Sequence, residues 1–310
     1  MALWNQYHLP TSVDEALSLL ARYGGEARVV AGGTDLLLEL QQGRRPPVDA
    51  LVDVTRVGEM TRIEEADGFI YLGAAVTHTA IVASSLLAQK ATCLVESCGV
   101  IGGPQVRNVA TLGGNVAHGL PAGDGSLSLV ALDAEAEIAS QIDNSKSKIQ
   151  NRQWRPVLSL FKGPGESAVD QTRELIVRFR FQSTGAGEAT AFKRIMRPQG
   201  VALPILAMAA WLRMSGDVVE DVRIALGPAG PRPMRAINAE AYLAGMRLSE
   251  DAIARVTDLI LDEAKLRTSK HRATVEYRRE LIDVLTRRAL TLAERRARSG
   301  EAVPEGVGLA

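Results

Sequence analysis

The sequence predicts an α+β chain: a small helix-and-strand opening segment, a second mixed segment, and a C-terminal α+β domain of a small antiparallel sheet plus helices. Three observations lead there. The first fifty-odd residues alternate helical and strand patterns, as a small α/β subdomain does. A run of small residues, Ser183-Thr184-Gly185-Ala186-Gly187, then breaks the chain and reads as a linker. Beyond it, strand patterns come first and three helical patterns follow. With 310 residues the chain is long enough for two domains that bury their cores without staples.

In chain order, Ser12-Val13-Asp14-Glu15 is a capping-box pattern, and Ala16, Leu17, Leu19 and Leu20 follow at helical spacing until Gly24-Gly25 stops the helix. Arg28-Val29-Val30 reads as a buried strand, Leu36 to Leu40 as a helix, and Ala50 to Val54 as a second strand. Thr61–Glu65 and Phe69–Gly73 form a hairpin across Ala66-Asp67-Gly68. Thr77 caps a helix, and Leu86 to Ser97 is a further helical stretch. Leu127–Leu132 is apolar, Glu135–Ser140 alternates as a strand, Pro156–Leu160 is a short helix, and Glu174–Phe181 alternates again. Past the linker come strands around Leu206–Met214 and Val222–Leu226, then helices over Asn238–Gly245, Ser249–Leu266 and Ala273–Ala297. The last dozen residues, rich in Gly, Pro and Glu, are expected to fray.

The bulk numbers exclude several classes. Thirty-six basic residues balance 36 acidic ones, so attraction to nucleic acid or an acidic membrane does not organise the molecule. The longest apolar run, Val201 to Leu212, contains Pro204 and is too short to span a bilayer, and no signal peptide stands at the start. Two cysteines, Cys93 and Cys98, cannot hold a four-cysteine cluster, and the four histidines match no metal-ligand spacing. A cytoplasmic protein without its own metal is the expectation.

Two glycine pairs carry the chemistry. Ala31-Gly32-Gly33-Thr34-Asp35-Leu36 follows a strand, and Thr111-Leu112-Gly113-Gly114-Asn115 lies roughly eighty residues on. A Gly pair lets backbone N–H groups converge on one point with no Cβ in the way, and such arrays hold phosphate oxygens. Two of one type point to a diphosphate held from both sides, hence a dinucleotide. The Rossmann pattern G-x-G-x-x-G and the P-loop are both absent, so backbone amides would do the holding.

These residues closely resemble the two FAD-binding signatures of the flavoprotein (medium) subunit of molybdenum hydroxylases, the xanthine dehydrogenase and carbon monoxide dehydrogenase family. The second signature extends from Ile101-Gly102-Gly103-Pro104 to Asn115. The resemblance runs on through Asp124, Leu160–Gly165, Ala191-Phe192-Lys193, Arg223–Gly227 and His271–Arg279, and so covers nearly the whole chain. It implies a PCMH/VAO-type FAD-binding domain over 1–183, in two α/β subdomains of about 1–57 and 58–183. A C-terminal domain over 188–298 and a flexible tail, 299–310, would follow. It also implies residue roles. Amides from Val30, Ala31, Gly32, Gly33, Thr34, Asp35 and Leu36 would grip the diphosphate. Thr111, Gly114 and Asn115 would approach from the other side, and Asp124 would hydrogen-bond the nucleotide part. Ile101 would stand beside the isoalloxazine, Ile176 near the adenine end, and Lys193 near the flavin.

The same resemblance implies partners: a large molybdopterin subunit that oxidises the substrate and a small subunit with two [2Fe–2S] clusters, as a dimer of heterotrimers. Electrons would reach FAD from those clusters and leave to an external acceptor. Relatives that reduce NAD carry an acidic residue eight or nine positions after the lysine. Here Gly200-Val201 stands instead, so NAD is not the implied acceptor. Two alternatives stay open: a free-standing flavin oxidase or dehydrogenase of the same fold, and a nucleotide-binding scaffold subunit that has lost flavin. Arg278, Arg279, Arg287, Arg288, Arg295, Arg296 and Arg298 put a basic stripe on the last helix, read as a solvated face or a partner contact.

Overall fold

The computed structural model describes residues 2–144, 147–197, 202–270 and 272–306; Gly200, Val201 and His271, singled out above, lie outside them. Its first sheet is parallel. Val48–Asp53 lies between Trp4–His8 and Ala27–Val30. Trp4–His8 has no apolar alternation and exposes most of its length, so only its pairing with Val48–Asp53 makes it a strand. The helix Val13–Arg22 buries Val13, Ala16, Leu17, Leu19 and Leu20. Its cap is half a capping box. Ser12 Oγ accepts from the Glu15 N–H at 3.2 Å, but the Glu15 carboxylate accepts from the N–H of Thr11, one residue before the cap.

The second sheet is antiparallel, in the order Ile63–Ala66, Phe69–Gly73, Glu174–Gln182, Glu135–Asn144, Ser147–Pro156. Asp67 and Gly68 both have positive φ, 51° and 77°, which is the type I′ geometry the hairpin needs. The helical stretch expected over Leu86–Ser97 is two helices, Ser85–Lys90 and Thr92–Gly99, broken at Ala91. All eight residues of the second are buried, whereas the first exposes one side, so the break redirects the chain into the core. The strand Ser147–Pro156 escaped the sequence reading because its sequence is mostly polar. It forms by pairing with Glu135–Asn144.

The third sheet is antiparallel: Glu188–Met196, Pro204–Ser215, Val218–Gly227 and Met234–Arg235. Within the strand Pro204–Ser215, residues 204–212 are buried on both faces, which explains their unbroken apolar run. Ala207, Ala209 and Trp211 join the core shared with the first two sheets, while Leu206, Met208, Ala210 and Leu212 join that of the C-terminal helices. The sheet is therefore a middle layer. On one side lie Thr92–Gly99 and Asp124–Ala131; on the other lie Ile237–Leu243, Glu250–Glu263 and Val275–Ser299. The run at 183–187 is tied down: Thr184 Oγ1 donates to Lys90 O at 2.9 Å, and Lys90 Nζ donates to Thr184 O at 3.2 Å.

The basic stripe is not one solvated face. Leu281, Leu285 and Leu292 pack inward as expected, but Arg278 and Arg296 are buried with them. Arg296 pairs with the buried Glu96 at 2.6 Å and donates to Thr190 O, while Arg287 pairs with Glu250 and Arg298 with Glu294 and Asp217. Seven arginines on one helix say nothing about where carboxylates of other elements will lie, so the pattern could not distinguish buried from solvated members. Within the tail, Val303 O accepts from Arg296, and the Glu305 N–H donates to Glu96 at 2.8 Å.

Candidate functional site

A cleft of about 400 Å³ opens between the end of the parallel sheet and the loops at 101–124. Strand Ala27–Val30 delivers the chain to the turn Ala31–Asp35, after which Leu36–Gln41 is helical. In this turn the N–H groups of Ala31, Gly32, Gly33, Thr34, Asp35 and Leu36 donate to no acceptor among the described residues. Six consecutive unbonded donors form a concave site for negative charge. Gly33 has φ of +66°, the left-handed conformation that turns successive N–H groups to one side.

The opposite wall is fixed by its own hydrogen bonds. The Leu112 and Gly113 N–H groups donate to Val76 O and Ala74 O, and the His78 N–H donates to Ala110 O. Thr111 caps the helix Leu112–Ala117, its Oγ1 accepting from the Gly114 N–H at 3.1 Å. The Gly114 amide is thus engaged within the protein, and what Gly114 offers the cleft is the absence of a side chain. Asn115 Oδ1 accepts from the Ser126 N–H and hydroxyl, which leaves its Nδ2 without a partner among the described residues. The walls meet at Gly32: a Cβ there would lie 2.1 Å from Val109 O. Only glycine permits that approach.

Arg194 and Asp124 pair in the cleft. Arg194 Nη1 donates to Asp124 Oδ2 at 2.6 Å and Nη2 to Val100 O at 2.7 Å. Asp124 is 4% exposed, and burial pushes its carboxyl up to about 7 despite the opposing pull of Arg194. Its second oxygen, Oδ1, is buried and has no partner among the described residues. His78 is also buried in the lining, its Nδ1 without a partner among the described residues; desolvation first, then the charge of Arg107, holds it down to about 4, so the ring is neutral. Arg107 in turn donates to the carbonyls of Ile101 and Gly102 and fixes that turn.

Two family descriptions match the chain. The FAD binding domain in molybdopterin dehydrogenase matches residues 4–181. The chain belongs to this family. The CO dehydrogenase flavoprotein C-terminal domain matches residues 190–293. A xanthine dehydrogenase FAD-binding subunit of Escherichia coli O157:H7 is 29% identical over 290 residues, covering 93% of this chain and 95% of the relative. A nicotine 6-hydroxylase medium subunit of Paenarthrobacter nicotinovorans is 30% identical, covering 93% and 96%. Among solved structures, carbon monoxide dehydrogenase from Hydrogenophaga pseudoflava superposes with a TM-score of 0.86 at 28% identity, covering 94% of this chain and 98% of that one.

The residues of this FAD-binding domain fit such a cofactor. Six free N–H donors suit a diphosphate, and the unpartnered Asp124 Oδ1 suits a hydroxyl donor. Twelve of the fourteen positions expected from sequence line the cleft: Val30 to Leu36, Ile101, Thr111, Gly114, Asn115 and Asp124. Two do not. Ile176 is buried in the second sheet opposite Ile138, and Lys193 Nζ pairs with Glu305 at 2.7 Å. Neighbours on a strand face opposite ways, so Arg194 enters the cleft where Lys193 cannot. Sequence reasoning missed Arg194, His78 and Arg107. Strand alternation signals that only one of Lys193 and Arg194 can face the site, but not which one. His78 was visible only as a neighbour of a helix cap.

Proposed function

We propose that this chain is the FAD-carrying electron-transfer subunit of a cytoplasmic molybdenum hydroxylase. Electrons would arrive from two [2Fe–2S] clusters of a small subunit and leave to an external acceptor. Substrate oxidation would belong to a large molybdopterin subunit, in a dimer of heterotrimers. The division into 1–183 and 188–298, with a tail from 299, is part of the same reading. The observation that carries it is the row of six N–H groups at residues 31–36 that donate to no acceptor among the described residues, set across a narrow cleft from the Thr111 cap.

When bound, FAD supplies the exchange between one-electron and two-electron transfer. The chain's residues bind and orient. The amides of 31–36 hold the diphosphate, with the Thr34 hydroxyl beside them. Asp124 accepts from a hydroxyl through Oδ1 while Arg194 fixes its other oxygen. Asn115 donates through Nδ2, and Ile101 gives an apolar wall that keeps water from the ring. Neutral His78 leaves the lining without an added positive charge.

Purification of the chain alone tests this. The expected product is yellow, with absorbance near 450 nm (about the usual flavin band), and it oxidises no purine, aldehyde or N-heterocycle until partner subunits are added. Turnover of such a substrate by the chain alone, or a colourless protein that takes up no added FAD, would overturn the reading.

A further inference from the structure

The wall opposite the 31–36 amides holds fewer donors than its glycine pattern promises. Four of the five amides from Thr111 to Asn115 are engaged within the protein: Leu112 with Val76 O, Gly113 with Ala74 O, Gly114 with Thr111 Oγ1 and Asn115 with Thr111 O. A diphosphate held from both sides needs another donor there. His78 stands at that point. Its N–H donates to Ala110 O at 3.0 Å, Thr77 beside it pairs with Thr111, and Thr77 Oγ1 caps the helix His78–Val82 by accepting from the Ala80 N–H at 3.2 Å. Ala110 is also where the walls meet, since a Cβ on Gly32 would lie 2.7 Å from its Cα. His78 and Gly32 therefore flank one residue and line one cleft. Among the buried side-chain atoms without a partner in the described residues, only His78 Nδ1 and Asp124 Oδ1 belong to that lining.

The ring's surroundings fix which nitrogen carries its proton. His78 is 1% exposed, and burial first, then the charge of Arg107, keeps the imidazole neutral, with one N–H and one lone pair. Nδ1 is enclosed with no partner among the described residues, and a proton there would be a buried donor left unmet. The proton therefore belongs on Nε2, the nitrogen that is not so enclosed. We infer that His78 is a further FAD-binding residue, its Nε2–H donating to the cofactor's diphosphate from the wall opposite the 31–36 amides. The inference rests on the FAD reading and adds a contact to it. A neutral donor suits this place: its bond to a charged phosphate oxygen is charge-assisted, and no second cation has to sit beside Arg107.

The test uses the full chain stripped of flavin and titrated with FAD by fluorescence quenching. His78→Met keeps the side-chain length without a donor, and His78→Gln returns an N–H close to the Nε2 position. The expected result is affinity at least about tenfold weaker in His78→Met and within about threefold of wild type in His78→Gln. Under saturating FAD, the phosphorus NMR resonances of the bound cofactor should shift in His78→Met while the flavin absorption band stays in place, because the lost contact is to phosphate. Without FAD, His78→Met should melt no lower than wild type, as an unmet buried nitrogen has been removed. A flavin band that moves while the phosphorus resonances do not would put the imidazole against the isoalloxazine and overturn the inference. Lower melting of both variants without FAD, with affinity lost equally in both, would assign His78 to the fold and overturn it too. A wild-type chain that takes up no FAD fails the cofactor reading itself, and this inference with it. Normal uptake by wild type beside equal affinity in His78→Met fails this inference alone.

Discussion

Replacing Gly32 with alanine tests whether the diphosphate cradle depends on contact between the two loops. The new Cβ would lie 2.1 Å from Val109 O, 2.5 Å from Val109 C and 2.7 Å from Ala110 Cα, all backbone atoms that no rotamer change can move. Carbon-to-oxygen contacts settle near 3.3 Å, so the loops must part by about 1.2 Å. A donor that reached an oxygen at about 2.9 Å then stands near 4 Å, beyond hydrogen bonding. Losing two such bonds to a charged acceptor, at about 1.5–3 kcal/mol each, raises the FAD dissociation constant by about 10²–10⁴. Gly58→Ala is the matched control, since nothing lies within 4 Å of a Cβ there. Quenching of flavin fluorescence on titration with apoprotein measures both. A Gly32→Ala dissociation constant within about threefold of wild type would refute the argument.

Other perturbations separate neighbouring claims. Arg194→Ala should weaken FAD binding at least about tenfold, and Lys193→Ala should leave it within about threefold, because only Arg194 touches Asp124. Parallel titrations decide, and the reverse order would restore Lys193 to the site. Asp124 titrates near 7 in the fold against 3.8 in the open chain, so its contribution to stability is full below about pH 4 and is lost as pH rises through 7. The melting temperature of Asp124→Asn minus that of wild type should therefore climb between those values; a flat difference would count against the buried-carboxyl account. Thr111→Ala removes a helix cap and should cost about 1 kcal/mol in denaturant unfolding. Glu96→Ala should cost about 3–5 kcal/mol by leaving Arg296 buried and unpaired, with much of that restored when Arg296→Met is added. A double variant no more stable than Glu96→Ala would show that the pair's cost is not electrostatic.

Local signals were legible wherever the cause is local. Ser12, Thr77 and Thr111 cap the helices they precede, since a cap involves only the next three residues. Asp67-Gly68 makes the turn its composition demands. Trp4–His8 and Ser147–Pro156 were illegible, because each becomes a strand by pairing with a partner that supplies the ladder. The break at Ala91 was hidden for a related reason: Ser85–Gly99 reads as continuous helix, and burial of its second half divides it.

For the site, the sequence by itself determined the two glycine turns and the cofactor class they serve, because glycine spacing fixes backbone freedom within a few residues. It could not decide which cation enters the cleft. Lys193 and Arg194 are adjacent, and the sheet's registration against Asp124–Ala131 turns one inward and sends the other to Glu305. The tertiary structure also decided the state of Asp124, whose carboxyl is pushed up to about 7 by burial despite the opposing pull of Arg194. It set the same limit on the arginine-rich helix, where residues far apart in the chain determine which guanidiniums meet carboxylates. Charge pairing and solvent exclusion are properties of distance in space, and a linear pattern carries them only where neighbours in sequence are neighbours in the fold.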